Sequence, residues 1–151
     1  MQPGSTVITS LCEAETKQKH CFILKVKKGS FICKEVKLRF TRPFVLRTIE
    51  LKNTGVPPRS EAIEKYVKEA LNQVIGQAEK EQEDIQNAKG DLAAIPDELK
   101  LPHIRLRVDY AGGFAVLAPR IFARHTEGRV ANPQDCVLFF KSNKYQPRGA
   151  T

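Results

Sequence analysis

Asn53-Thr54-Gly55-Val56-Pro57-Pro58 divides the chain into two stretches with different hydrophobic periods. Neither strand nor helix continues through two prolines and a glycine, so a boundary belongs there. Before the break, apolar residues recur with a period of two. Residues 20–28 and 31–40 flank Lys28-Gly29-Ser30 and predict a β-hairpin. Phe22, Leu24 and Val26 alternate with Ile23, Lys25 and Lys27, and Val36, Leu38 and Phe40 alternate with Glu35, Lys37 and Arg39. One hairpin face is therefore expected to be apolar and the other largely cationic. Residues 5–11 and 44–51 predict two further strands, the second starting after Pro43.

After the break, Ile63, Tyr66, Val67, Ala70, Leu71, Val74, Ile75 and Ala78 recur at helical spacing. They predict an amphipathic helix with Ser60 as its N-cap and with Glu61 and Glu64 in its first turn. Residues 79–100 continue as an acidic, Gln-rich helix that becomes a linker near Pro96. The sharpest strand is His103–Tyr110, in which Ile104, Leu106, Val108 and Tyr110 share one face and Arg105, Arg107 and Asp109 the other. Gly112-Gly113 predicts a turn with positive φ. Asn132-Pro133-Gln134-Asp135 reads as a helix start with Asn132 as N-cap, which makes Val137–Phe140 a short buried helix. Together these elements place the chain in the α+β class.

Twenty-five Lys and Arg against seventeen Asp and Glu give the 151 residues a net charge of +8. That charge is segregated: residues 1–54 carry +7, residues 55–102 carry −4 and residues 103–151 carry +5. Two basic ends around an acidic middle point to an anionic partner, although lysines and arginines also serve simply to solubilise strand faces. No apolar run reaches the ~18 residues of a membrane span. The four cysteines show no C-x-x-C spacing and are expected to be reduced.

Catalytic constellations are scarce. His20, His103 and His125 are isolated, with no H-x-H or D-x-H, and Gly90-Asp91 is a lone G-D in an acidic linker. P-loop, G-x-S-x-G and dinucleotide fingerprints are absent. Cys21 and His20 are strand neighbours that point to opposite faces, which argues against a thiolate–imidazole pair.

Two segments carry a resemblance. The first is Gln2-Pro3-Gly4-Ser5-x-Val7-x-Thr9-Ser10-Leu11, followed by Glu15 and Lys19-His20. The second is Ile104-Arg105-Leu106-Arg107-Val108-Asp109-Tyr110-x-Gly112-Gly113-Phe114, then Arg129-Val130-Ala131-Asn132-Pro133-x-Asp135 and Phe139-Phe140. In this order and separation they resemble the eukaryotic SbcD-type nucleases, the nuclease subunits of the Mre–Rad–nibrin double-strand-break repair complex. The resemblance implies that residues 1–54 are the last strands of a calcineurin-like phosphodiesterase sandwich. It implies that residues 55–151 are an α+β capping domain that binds and orients DNA. The family's metal ligands lie upstream of the Gln2-Pro3-Gly4-Ser5 segment, so none maps onto this chain. Met1 falls inside a motif, which leads us to expect a fragment or a truncated gene model. Thr126 stands where the family usually has a second aromatic, in the loop between Phe122 and Arg129.

The resemblance further implies manganese in the parent nuclease, an endonuclease and 3′–5′ exonuclease, with none bound by this chain, which alone is expected to be inactive. It implies sequence-independent DNA binding, an SMC-like ATPase subunit and a nibrin-like subunit as partners, and a homodimeric parent. A nuclear location, a role in homologous recombination and meiosis, and no membrane association complete the set. The residues expected to touch phosphate are Arg105, Arg107, Arg124, Arg129, Lys25, Lys27 and Lys28. Against this, the Arg105 or Arg107 side chain could pair with Asp109 or another acid, Arg129 could bond loop carbonyls, and the lysines could be merely solvated. Gly4, Ser5, Gly112, Gly113, Asn132 and Asp135 are read as structural. The competing functions are an active hydrolase in its own right and an interaction platform for the ATPase.

Overall fold

The computed structural model describes residues 4–38, 41–87 and 99–142. Arg39 and Phe40, the Gly90-Asp91 linker and the tail 145–151 lie outside them.

Strands β1 (His20–Lys27) and β2 (Ser30–Lys37) form the expected hairpin. Lys28 and Gly29 make its turn at φ 41° and 82°, the two left-handed positions of a tight connection between twisted strands. This two-residue turn also sets the register, and the register corrects the expected faces. Cys33 lies opposite Leu24 and Glu35 opposite Phe22, so Phe22, Leu24 and Val26 share a face with Phe31 but also with Glu35 and Lys37. Val36 pairs with Cys21 and joins Ile23, Ile32, Lys25 and Lys27 on the other. Both faces are mixed, and both are open: Phe22 is 46% and Ile32 71% exposed.

Residues 5–11 form no strand. The Ser5 hydroxyl accepts the Val7 N–H at 3.2 Å, a local bond that competes with sheet pairing, and the chain then enters a 3-10 turn at Glu13–Thr16.

The larger unit is a three-stranded parallel sheet in the order β3 (Phe44–Glu50), β4 (His103–Asp109), β5 (Val137–Phe140). Parallel neighbours need crossovers, and helix α1 (Ser60–Asn87) supplies the first. Its first hydrogen bond runs from the Ile63 N–H to the Arg59 carbonyl, so Arg59 rather than Ser60 holds the flanking position. The predicted stripe is buried as expected, with Ile63, Val67, Leu71, Val74, Ile75 and Ala78 packed on Ile104, Leu106 and Val108 of β4 and on Val45 and Ile49 of β3. β3 precedes the Asn53–Pro58 break yet pairs with β4 from Phe44–His103 to Glu50–Asp109, so a line drawn at 54/55 runs through one sheet. Gly112 and Gly113 turn the chain after β4 at φ 103° and 88°. No helix among the described residues is long and apolar enough to cross a membrane.

The second crossover contains helix α2 (Pro119–Thr126), where the sequence suggested a loop. Pro119 opens it with the φ a first turn requires. Thr126 is fully buried, and its hydroxyl donates to the Phe122 carbonyl at 3.0 Å, so a smaller side chain fills the aromatic's place without leaving a polar atom unmet. Val137–Phe140, expected as a helix, is a strand. Hydrogen bonds from the Leu106 N–H to the Cys136 carbonyl and from the Tyr110 N–H to the Phe140 carbonyl tie it to β4, and its Val and Phe side chains suit a pleated surface.

Pro133–Asp135 is a one-turn 3-10 helix and Asn132 flanks its start, as expected, but the Asn132 side chain does not cap it. Its Oδ1 accepts the Ile104 N–H at 3.0 Å, and its Nδ2 donates to the Ile104 carbonyl at 2.8 Å. One side-chain amide thus pairs with β4 as a neighbouring strand would, just ahead of the point where β5 begins. Asp135 contributes its backbone, closing a turn from its N–H to the Asn132 carbonyl.

Asp109 secures the other end of β4. The residue is 2% exposed, and its Oδ1 accepts the N–H groups of Ala111 (2.9 Å) and Ser142 (3.1 Å). Burial pushes its pKa up, but the hydrogen bonds from Ser142 and Ala111 outweigh burial and hold it below the ordinary carboxylate value.

Two outcomes follow for stability. Asn132→Ala leaves both Ile104 backbone groups unpaired and should cost about 1–3 kcal/mol in urea unfolding. Asn132→Asp, an equally good helix cap, should not rescue it, because it replaces a donor with an acceptor facing the Ile104 carbonyl; full stability in the Asp variant would restore the capping role. A depressed folded pKa contributes stability that is present above the unfolded value and lost as pH falls through the folded one. Asp109→Asn should therefore lower the melting temperature at neutral pH and flatten its decline below about pH 4; a parallel decline in both proteins would contradict this assignment.

Candidate nucleic-acid interface

Burial of one face of β4 determines what the other presents. Ile104, Leu106 and Val108 are fully buried, and each aliphatic side chain so placed contributes about 1.5–3 kcal/mol. Turning the strand over would expose all three and bury two guanidinium charges, so the orientation is fixed. Arg105 and Arg107 project to the opposite face. The register sets Leu46 beside Arg105, both Thr48 and Leu138 beside Arg107, and Phe140 beside Asp109.

The arginines are oriented without being neutralised. Arg105 donates through Nη1 to the Asp135 carbonyl at 2.7 Å. The Arg107 guanidinium carbon sits 4.7 Å from the centre of the Phe140 ring, within cation–π range. The expected alternative, an ion pair with Asp109, is not formed, because that carboxylate turns to the Ala111 and Ser142 backbone. Glu50, in register with Asp109, is held by Lys52 at 3.3 Å and Asn53 at 2.8 Å. Among the described residues, ion pairs join Lys19 to Glu15, Lys52 to Glu50 and Lys68 to Glu64, His20 Nε2 lies 3.3 Å from Glu35, and none of these contacts includes either arginine. The face carries an uncompensated positive charge.

The other predicted contacts lie elsewhere. Lys25, Lys27 and Lys28 are exposed on the hairpin, which does not join this sheet. Arg124 is exposed on α2. Arg129 bonds no loop carbonyl; its Nη1 donates to Asn72 Oδ1 of α1 at 2.8 Å, and His125 Nε2 lies 3.1 Å from the same oxygen. Burial first, and the nearby charges of Arg129 and Lys68 second, lower the His125 pKa. Arg129 is thus a bridge between loop and helix, and the seven predicted residues fall into separate regions: the three lysines share the hairpin, Arg105 and Arg107 share β4, and Arg124 and Arg129 belong to neither.

Gly4 and Ser5 lie in the irregular N-terminal segment. The three histidines stay apart on β1, β4 and α2, and among the described residues no group of three His, Cys, Asp or Glu could hold a metal ion. Sequence reasoning missed Leu138 and Phe140 because it placed them in a helix; the four-residue apolar run bounded by polar residues was the available strand signal.

The family described as "Mre11 DNA-binding presumed domain" matches residues 31–151, a span that includes all of β2 but its first residue, the whole parallel sheet and both helices. The double-strand break repair protein MRE11 of Oryza sativa subsp. indica is 38% identical over 144 residues, which is 95% of this chain and 19% of that protein. Those of Coprinopsis cinerea and Rattus norvegicus are 36% identical over 156 residues and 33% over 146, covering 99% and 93% of this chain and 21% and 19% of their own lengths. The chain spans about a fifth of the length of these curated relatives. The family match runs through the sheet, both helices and the arginine-bearing face, and the chain belongs to the Mre11 family.

Proposed function

We propose that this chain binds DNA through its phosphates, with little sequence preference, as part of a larger double-strand-break repair nuclease. The observation that carries this reading is the pair of guanidinium groups on the open face of β4, each oriented by a neighbour and neither matched by a carboxylate. Guanidinium forks suit phosphate oxygens, and such contacts set the position of DNA without reading bases. The relatives' name as double-strand break repair proteins and the family's description as DNA-binding support the same conclusion.

In the parent nuclease, manganese would supply the hydrolytic chemistry. The described residues offer no fitting ligand set, since His20 faces Glu35, His125 faces Asn72 and His103 stands apart from both. What this chain's own residues contribute is binding: Arg105 and Arg107 hold backbone phosphates against the sheet, with Asp135 and Phe140 keeping the two guanidinium groups in place. Contacts with an SMC-like ATPase and a nibrin-like subunit, dimerisation, and nuclear work in recombination and meiosis belong to this proposal at the level of the longer protein. A second reading is favoured for the hairpin alone. Phe22, Leu24, Val26 and Phe31 are all exposed on one of its faces, a surface suited to a protein neighbour rather than to a polyanion.

Titration with duplex DNA at several salt concentrations tests this division of labour. Binding should weaken linearly on a log–log plot of affinity against salt, and Arg105→Gln with Arg107→Gln should reduce the slope by about 2, one for each lost phosphate contact. Lys25→Gln with Lys27→Gln should change it far less. An unchanged slope in the arginine variant, or no binding by the unaltered chain at low salt, would refute the proposal.

A further inference from the structure

Phosphate contacts alone do not account for the composition of the open face. Beside its two cations it displays Phe140, Leu46 and Leu138, the last 38% exposed, and a phosphate backbone offers these side chains nothing. We propose that this face is a stacking platform for unpaired bases, with a base seated on the Arg107–Phe140 pair while the edge of the Arg107 guanidinium and Arg105 hold the adjoining phosphates. The proposal rests on the DNA-binding reading and narrows it to the state of the DNA that fits here.

Three observations select this occupant. The first is the Arg107–Phe140 contact itself: guanidinium and aromatic groups are the two side-chain types on which extruded bases stack, and here they stand together at 4.7 Å. The second is charge. The two acids in register on this face are engaged, Glu50 by Lys52 and Asn53 and Asp109 by backbone N–H groups, so neither pairs with the arginines that a polyanion would meet. The third is the mixture of chemistries. An apolar protein surface laid here would strip water from two guanidinium groups that have no carboxylate partner. A duplex keeps its base faces stacked inside the helix and leaves Phe140 and Leu138 uncovered. An unpaired strand carries phosphates and π-faces together and satisfies both. The platform includes Leu138 and Phe140, which lie on the face with Arg107 only because residues 137–140 form a strand beside β4.

The experiment compares three probes of the same length with the full chain at one salt concentration: a single strand containing 2-aminopurine, an abasic strand with the same number of phosphates, and a duplex. The base-bearing strand should bind about fivefold or more tightly than the abasic one, the low end of what one stacked base contributes, and 2-aminopurine emission should be quenched. Arg107→Lys keeps the charge and removes the planar group, and Phe140→Leu keeps the bulk and removes the ring. Each should abolish the preference for bases and the quenching. Circular dichroism and thermal unfolding should show both variants folded, and salt-dependent binding to the abasic strand should persist through Arg105. Equal affinity for base-bearing and abasic strands, or a preference that survives both substitutions, would overturn the platform while leaving phosphate binding intact. No binding to any probe at low salt would overturn the DNA-binding reading as well.

Discussion

Burial of one face of β4 beneath α1 is the constraint on which the rest of the molecule depends. Ile104, Leu106 and Val108 can enter the core only if the strand presents its other side to solvent, and period-two geometry then fixes Arg105 and Arg107 outward. The helix supplies the matching stripe, from Ile63 to Ala78, and flanking strands extend the sheet on both sides. The charged surface is therefore a by-product of core formation; no mobile loop is needed to display it.

The ends of β4 are finished by side chains. At its start Asn132 stands in for an absent strand, and at its end Asp109 gathers the N–H groups of Ala111 and Ser142. Each spends on the backbone a polar group that could otherwise have faced the arginines. For Asp109 this has a functional consequence: a carboxylate two residues from Arg107, on the same side of the strand by alternation, is withdrawn from ion pairing and leaves the positive charge available.

Much of this was legible in the chain, because strong local periodicity survives folding. The stripe of α1, the alternation of β4 and the Lys28-Gly29 turn are all visible in residue spacing, and the family resemblance carried by the two motifs holds. What was not legible depended on partners distant in sequence. Val137–Phe140 is too short for its period to separate strand from helix, and the free edge of β4 decides the matter. Asn132 sits before a proline as a helix cap would, yet its bonds go to Ile104, twenty-eight residues away. The hairpin faces were mixed because two arms, each correctly alternating, were joined by a turn whose length sets their phase. The Arg107–Phe140 contact was invisible for the same reason as β5, and Arg129 joined the expected contacts because nothing local points to Asn72 on α1.

The central claim is that DNA lies on the open face of the parallel sheet. Backbone and arginine side-chain NMR spectra of the chain, recorded while DNA with a single-stranded tail is added, test it most directly. The largest shifts are predicted at Arg105, Arg107, Leu138 and Phe140, with the exposed face of α1 silent. Shifts concentrated on the hairpin lysines or on Arg124, with the sheet arginines unmoved, would contradict the account.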